Sequence, residues 1–285
     1  MKLHYWGTAA AEGIPGLFCD CPVCSEAREK GGRFVRTRSQ ILIDDSLMLD
    51  FNADTYMHSL KYGFNLGRLK NVIISHVHED HYYPLDLCMR DKGFAPVQEN
   101  ATLTVHGSKD VKPKFDYITE GNARAVKQGR VAFKELEPFV TYDVDGYEIT
   151  PMPARHGTSN PFVYAIKKGN ASVLILNDTG YLLPETLEFL KNNDMKFDLI
   201  SYDCTYCAGD TLADWGPNAG HMGLVNIVEL RKELTAMNKC KDTTLHIVTH
   251  FSHNGPKAGY ADMREEAFKY GFVITYDGYE IEVNN

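Results

Sequence analysis

The chain has 285 residues, of which 44% are hydrophobic, 11% aromatic and 24% charged, with a formal net charge of -8. These values describe a globular chain able to bury a sizeable core, and they exclude disorder and collagen-like repeats. The negative balance disfavours a protein whose main work is gripping nucleic-acid phosphates.

Residues 2–6 alternate as a strand, and a loop rich in glycine and cysteine follows to about Arg36. Ser39–Ile43 and Leu47–Phe51 read as a hairpin turning at Asp44–Asp45. Ala53–Tyr62 has helical spacing. Asn71–Ser75 and Ala101–His106 are short strands, and residues 108–130 are charged and less periodic. Val131–Leu136, Val140–Val144 and Tyr147–Pro151 follow as successive strands. Phe162–Lys167 pairs with Ser172–Asn177 across Lys168–Gly169–Asn170. Pro184–Asn193 is a helix with proline in its first turn. Phe197–Asp203 is a strand, Leu224–Met237 an amphipathic helix, Thr244–Thr249 a strand and Tyr260–Tyr270 a helix. Phe272–Val283 reads as a closing hairpin about Asp277–Gly278.

The first half thus reads as meandering strands, and the second repeats strand, polar tip, helix. Two sheets covered by helices are expected, in four layers α/β/β/α and as one domain over residues 1–285. His76, Asp178, Asp203 and His250 each fall at the far end of an apolar strand, where loops deliver side chains to a common cleft. No window reaches the roughly 18 apolar residues of a membrane span. The stretch MKLHYWGTAAAEGIPG lacks the apolar segment of a signal peptide, so a cytoplasmic location is expected.

Ser75-His76-Val77-His78-Glu79-Asp80-His81 is the strongest chemical signal. His76 and His78 are two apart, so an extended backbone points both to one side. Asp80 and His81 are adjacent, so in a turn they diverge toward a second ion. Imidazole nitrogen and carboxylate oxygen suit divalent metals. His156, Asp178 and His250 are the candidates that close two such sites. Each alone reads as a hydrogen-bonded turn residue, and their order after the motif shifts that balance. Cys19, Cys21 and Cys24 form C-x-C-x-x-C, three thiols for a zinc tetrahedron with one place to fill. Cys88, Cys204, Cys207 and Cys240 have no partner pattern and read as buried thiols.

The order of these residues resembles the metallo-β-lactamase superfamily of dinuclear hydrolases over nearly the whole chain. The resemblance implies one ion on His76, His78 and His156 and another on Asp80, His81 and His250. Asp178 would bridge them and Asp50 would support the site. It implies two divalent ions (Mn, Zn or Fe) that activate water for attack on a carbonyl or phosphorus centre, with Asp80 also orienting the nucleophile.

Gly7-Thr8-Ala9-Ala10-Ala11-Glu12-Gly13-Ile14-Pro15, the cysteine trio and Arg38-Ser39 are similar to the PhnP-type cyclic phosphodiesterases of bacterial phosphonate utilisation. That narrower resemblance implies His253 as fourth ligand of a structural zinc, in a loop at about 16–36. It also implies Asp203 and His221 as a catalytic pair, with His221 opening a helix. Thr8 and Glu12 would line the pocket of a small phosphodiester substrate. The chain departs from the family in its alanine-rich first loop, in Gly220 before His221, and in a longer Asp203–His221 interval that carries Cys207 and Trp215. These departures bear on the substrate. A carbonyl hydrolase (lactonase or thioesterase) and a tRNA 3′-processing nuclease share the metal motif and stand as alternatives. The nuclease would want a protruding Gly/Pro-rich arm and a basic face, and neither is visible. A homodimer stays open.

Overall fold

The computed structural model describes residues 1–121 and 124–283. Its strands are β1 (Lys2–Gly7), β2 (Gln40–Ile43), β3 (Leu47–Leu49), β4 (Asn71–Ile73), β5 (Leu103–Gly107), β6 (Val131–Glu135), β7 (Tyr142–Val144), β8 (Tyr147–Pro153), β9 (Phe162–Lys168), β10 (Ala171–Leu176), β11 (Phe197–Asp203), β12 (Cys240–Thr249), β13 (Val273–Ile274) and β14 (Tyr279–Glu282). Its helices are α1 (Pro22–Lys30), α2 (Thr55–Lys61), α3 (Val111–Gly121), α4 (Arg124–Lys127), α5 (Pro184–Lys191), α6 (Thr211–Trp215), α7 (Leu224–Ala236) and α8 (Tyr260–Lys269). Among the described residues no helix is long and apolar enough to cross a membrane.

Two seven-stranded sheets form, in the orders β14-β1-β2-β3-β4-β5-β6 and β13-β12-β11-β10-β9-β8-β7. Period-2 alternation decides which side each residue faces. In β1, Leu3 and Tyr5 point inward and meet Ile166, Val173, Ile175 and Leu199 of the second sheet in one buried cluster. Trp6 points outward to join Leu42, Val72 and Val105 under Val111 and Phe115 of α3. On the other side, Leu174, Ile200 and Val248 pack outward against Leu190, Ile227, Leu230 and Met263 of α5, α7 and α8. The product is the four-layer αββα sandwich.

The hairpins follow from local chemistry. Asp44 and Asp45 both take left-handed backbone, at φ 48° and 57°, at the centre of a tight turn in which Ser46 N–H donates to Ile43 O at 3.0 Å. Asp145 and Gly146 do the same between β7 and β8. The meander stops at β3, because β3 to β6 run parallel, as do β10 to β13. Parallel neighbours need crossovers, and α3 and α4 fill one of these in the charged segment that the sequence left unassigned.

The expected closing hairpin does not form. β13 pairs parallel with β12 in one sheet, and β14 pairs antiparallel with β1 in the other. The Asp277–Gly278 turn is claimed by its surroundings. Asp277 accepts from the Thr8 hydroxyl at 2.8 Å and from the Thr37 amide at 2.7 Å, and Gly278 N–H donates to Tyr5 O. Those contacts tie the turn to the N-terminal strand and the segment before β2, so β13 and β14 lie in different sheets.

Candidate metal centre

The sheet topology sets the position of the cleft. Asp50 follows β3, His76 lies just beyond β4, Asp178 beyond β10, Asp203 ends β11 and His250 follows β12. All sit at the carboxyl ends of parallel strands, the usual place for a site in such sheets. Asp50, Asp178 and His250 have φ of 66°, 54° and 61°. Non-glycine residues in that region cost roughly 1–3 kcal/mol each and persist where surrounding structure over-determines them.

The His76–His81 segment and the strand tips meet within hydrogen-bonding range. His78 Nδ1 lies 3.0 Å from His76 Nε2 and 3.1 Å from His156 Nε2. His76 Nε2 is 3.1 Å from Asp178 Oδ2. On the other side of Asp178, its Oδ2 lies 3.0 Å from His81 Nε2 and 3.9 Å from His250 Nε2, and Asp80 Oδ2 lies 3.1 Å from His81 Nε2. Two ligand-like groups result, His76-His78-His156-Asp178 and Asp80-His81-Asp178-His250. Asp178 belongs to both. Asp203, His221, His250 and Asp178 form a third grouping beside them.

These groups fit divalent ions. Ligand atoms about 2.0–2.1 Å from one ion stand roughly 2.9–3.4 Å apart, which matches these spacings apart from the 3.9 Å between Asp178 and His250. His78 Nδ1 has one lone pair and faces two imidazole nitrogens, so N–H donation alone leaves a conflict that a shared cation removes. Asp178 Oδ1 is buried and makes no well-aligned hydrogen bond, although His221 Nδ1 approaches to 3.0 Å.

Charge follows burial and neighbours. Burial, reinforced by His81, pushes the His76 imidazole down to about 4, which keeps its lone pair free. Burial works to raise the Asp178 carboxyl, yet His250, His221 and His76 hold it well below the usual range. Burial likewise opposes charge on His81, and Asp50 and Asp80 overcome it. Asp50, which the resemblance placed beside the metal site, contacts His81. Its Oδ1 accepts from the Ser75 amide at 2.8 Å, and its Oδ2 lies 2.6 Å from His81 Nδ1, which leaves His81 Nε2 facing the cleft.

Asp203 and His221 come together. His221 Nδ1 lies 3.2 Å from Asp203 Oδ2 and 3.0 Å from Asp178 Oδ1. Burial opposes a charged His221, but the two carboxylates raise it to about 11. His221 stands just ahead of α7 rather than on its first turn, because Gly223 is the cap. Two close approaches hold this segment. A Cβ on Gly180 would sit 1.8 Å from Ala219 O, and one on Gly223 would sit 2.1 Å from Gly209 O. Gly220 O accepts from His156 Nδ1 at 3.1 Å, so the same loop also orients a candidate ligand.

Cys19, Cys21, Cys24 and His253 also converge. His253 Nδ1 lies 3.7 Å from Cys19 Sγ and 3.6 Å from Cys21 Sγ. A zinc tetrahedron with Zn–S about 2.3 Å and Zn–N about 2.0–2.1 Å has S···N edges of roughly 3.6 Å. Gly16 lies against the His253 ring, where a Cβ would come 2.8 Å from Nε2. The loop contains α1, with Pro22 in its first turn. Of the other thiols, Cys204 and Cys207 are buried, while Cys88 and Cys240 are half-buried.

The structure corrects the expectation for Thr8. Its hydroxyl is buried between Asp277 and Arg36, so it holds the scaffold and does not line a pocket. Glu12 bonds the Ser252 hydroxyl beside His253. Ser75 and Thr205 were missed by sequence reasoning. Each is a hydroxyl one or two positions from a singled-out residue, and that proximity was the only signal.

Comparison with known proteins agrees with this fold. A ribonuclease Z from Staphylococcus carnosus (strain TM300) is 22% identical, over 99% of this chain and 100% of that protein. Among solved structures, a diphosphatase from the PhnP family superposes with a TM-score of 0.71 at 21% identity, covering 98% of this chain and 96% of that one. Zn(2+)-bound PqqB from Methylobacterium extorquens gives 0.74 at 16% identity, over 99% and 100%. At these identities the structural likeness is one of fold. A family model described as a beta-lactamase superfamily domain matches residues 41–276. With that match spanning most of both sheets and the histidine–aspartate cleft, the chain belongs to the β-lactamase superfamily and has its metallo-hydrolase fold.

Proposed function

We propose that the chain is a metal-dependent phosphodiesterase acting on a small cyclic or aryl phosphodiester. The reading takes two divalent ions (Mn, Zn or Fe) in the cleft and one structural zinc at the cysteine loop. His76, His78 and His156 would hold one ion, Asp80, His81 and His250 the other, and Asp178 both. A bound pair of such ions supplies water activation near neutral pH and neutralises charge on a phosphoryl oxygen.

The observation that carries the reading is His221. Its Nδ1 faces Asp178 and Asp203, so its Nε2 points away from them. Its side chain is 27% exposed, while that of Asp203 is fully buried. A cationic imidazole at the open edge of the cleft can hold a phosphoryl oxygen and release its Nε2 proton to a departing alkoxide. Asp203 keeps that ring in place. Met222 N–H and Thr205 N–H donate to its Oδ1 at 2.9 and 3.1 Å. Asp80 lies at the same cleft and would orient the nucleophile. Relatives named as a ribonuclease and a diphosphatase support attack at phosphorus over attack at a carbonyl.

The full-length match to ribonuclease Z favours one second reading, a tRNA 3′-processing nuclease. The net charge of -8 argues for the smaller substrate. Metal-reconstituted protein assayed on bis-p-nitrophenyl phosphate, a ribose cyclic phosphate, a lactone and a precursor tRNA separates the readings. Highest kcat/KM on a small phosphodiester is expected. Highest kcat/KM on the precursor tRNA would make it the nuclease, and highest on the lactone would make it a carbonyl hydrolase.

A further inference from the structure

We propose that Thr205 is a positioning residue whose single hydroxyl sets both the cleft-facing nitrogen of His250 and the orientation of the Asp203 carboxylate. The inference rests on the metal-site reading above and adds a residue to it.

Thr205 Oγ1 stands between three polar atoms. It lies 3.0 Å from Asp203 Oδ2, 2.8 Å from His250 Nδ1 and 3.0 Å from His250 O. A hydroxyl has one proton to give. Asp203 is fully buried, and its Oδ1 accepts the Met222 and Thr205 backbone N–H groups, so the carboxyl is held there as an acceptor. A carboxylate oxygen is the strongest of the three acceptors, so the Thr205 proton goes to Asp203 Oδ2. The hydroxyl oxygen then has only lone pairs to offer His250 Nδ1, and that nitrogen must carry the ring proton. Asp203 Oδ2 itself, 3.3 Å from His250 Nδ1, favours the same arrangement. His250 Nε2 is left with a free lone pair, and it is the nitrogen that faces His81 Nε2 at 3.3 Å and Asp178.

One side chain therefore joins the candidate metal ligand His250 to Asp203, the partner of His221. The chain path makes this possible. Thr205 follows Asp203 by two residues, its own amide closes onto Asp203 Oδ1 at 3.1 Å, and β11 lies beside β12, which ends just before His250. Nearby residues do not duplicate the role. Cys204 Sγ turns away to Cys207 O, and Thr249 Oγ1 is buried with no hydrogen-bond partner.

The test uses the full chain, titrated with Zn2+ against a competing chelator, in wild type, Thr205→Val and Thr205→Ser. Valine keeps the shape and removes the hydroxyl, and serine keeps the hydroxyl. Removing such an outer partner weakens metal binding by about 10–100-fold. Thr205→Val is expected to weaken the ion nearest His250 by that factor, with Thr205→Ser within about threefold of wild type. Long-range 1H–15N correlation of the zinc-loaded protein is expected to show His250 protonated at Nδ1 in wild type and Thr205→Ser. Zn2+ affinity in Thr205→Val equal to that of wild type overturns the proposal alone. Should the valine protein not fold, a serine protein that loses the affinity, or His250 protonated at Nε2 in wild type, overturns it. A wild-type chain that takes up no Zn2+ in the cleft overturns the metal-site reading and this proposal with it.

Discussion

Two ligand-like clusters hang from the same strand end and are built in opposite ways. His250, just past β12, turns into the cleft, while His253, three residues later, turns toward the cysteine loop. The cleft is made of imidazoles and carboxylates drawn from both sheets. Its members are oriented by an outer layer, Asp50 on His81 and Gly220 O on His156. His78, His156 and His221 remain partly exposed at its edge. The cysteine cluster is three thiols and one imidazole from two short segments, enough to complete a tetrahedron with no position left over. Under the proposed function, donor type and closure separate the two sites, an open imidazole–carboxylate cleft for chemistry and a closed thiol–imidazole set for anchoring, although both share one backbone turn.

The largest expected break comes at the residue common to both halves of the cleft. Asp178→Ala will weaken both cleft ions by more than about 10²-fold, beyond the effect of losing an outer partner. Metal analysis after gel filtration will then read only the cysteine-bound zinc. His221→Ala will lower phosphodiester turnover about 10²–10⁴-fold with the cleft metals still bound, which steady-state rates and metal content together measure. Asp50→Asn comes next. It keeps the shape and loses the charge that holds His81, so cleft affinity will fall about 10–100-fold in chelator competition.

The smallest effect on chemistry belongs to the other cluster. Cys21→Ser will release one zinc and lower the melting temperature by several degrees, since about 1 kcal/mol is worth about 2–4 °C in a chain of this size. The cleft ions and kcat will stay. Zinc affinity at this cluster will also depend on pH. Burial pushes the Cys24 thiol up to about 12, so at neutral pH it is protonated and must release its proton to bind. Affinity will therefore rise as pH rises and fall as pH falls. Zinc titrations at pH 6, 7 and 8 by chelator competition will show that order.

The cleft was legible because metal chemistry constrains residue type and spacing together. His76-Val77-His78-Glu79-Asp80-His81 announces itself, and Asp178 and His250 stand at the ends of apolar strands that periodicity locates. The αββα layering was legible for a different reason, since apolar strands and helical stretches alternate along the second half of the chain. What stayed hidden depends on distant contacts. The Asp277–Gly278 turn has a hairpin's sequence, but its carboxylate is captured by Thr8 and Thr37 from the far end of the chain. Thr205 carries no motif, because a hydroxyl gains its role only from what Asp203 and His250 place around it. Thr8 looked like a pocket residue for want of its buried partner Arg36.

The most direct test of the two-cluster account is a crystal structure of metal-loaded protein with anomalous scattering collected at the absorption edges of zinc and manganese. The account predicts two peaks sharing Asp178 in the cleft and a separate zinc peak ringed by Cys19, Cys21, Cys24 and His253. Metal at the cysteine loop with none among His76, His78, Asp80, His81, His156, Asp178 and His250 would contradict it.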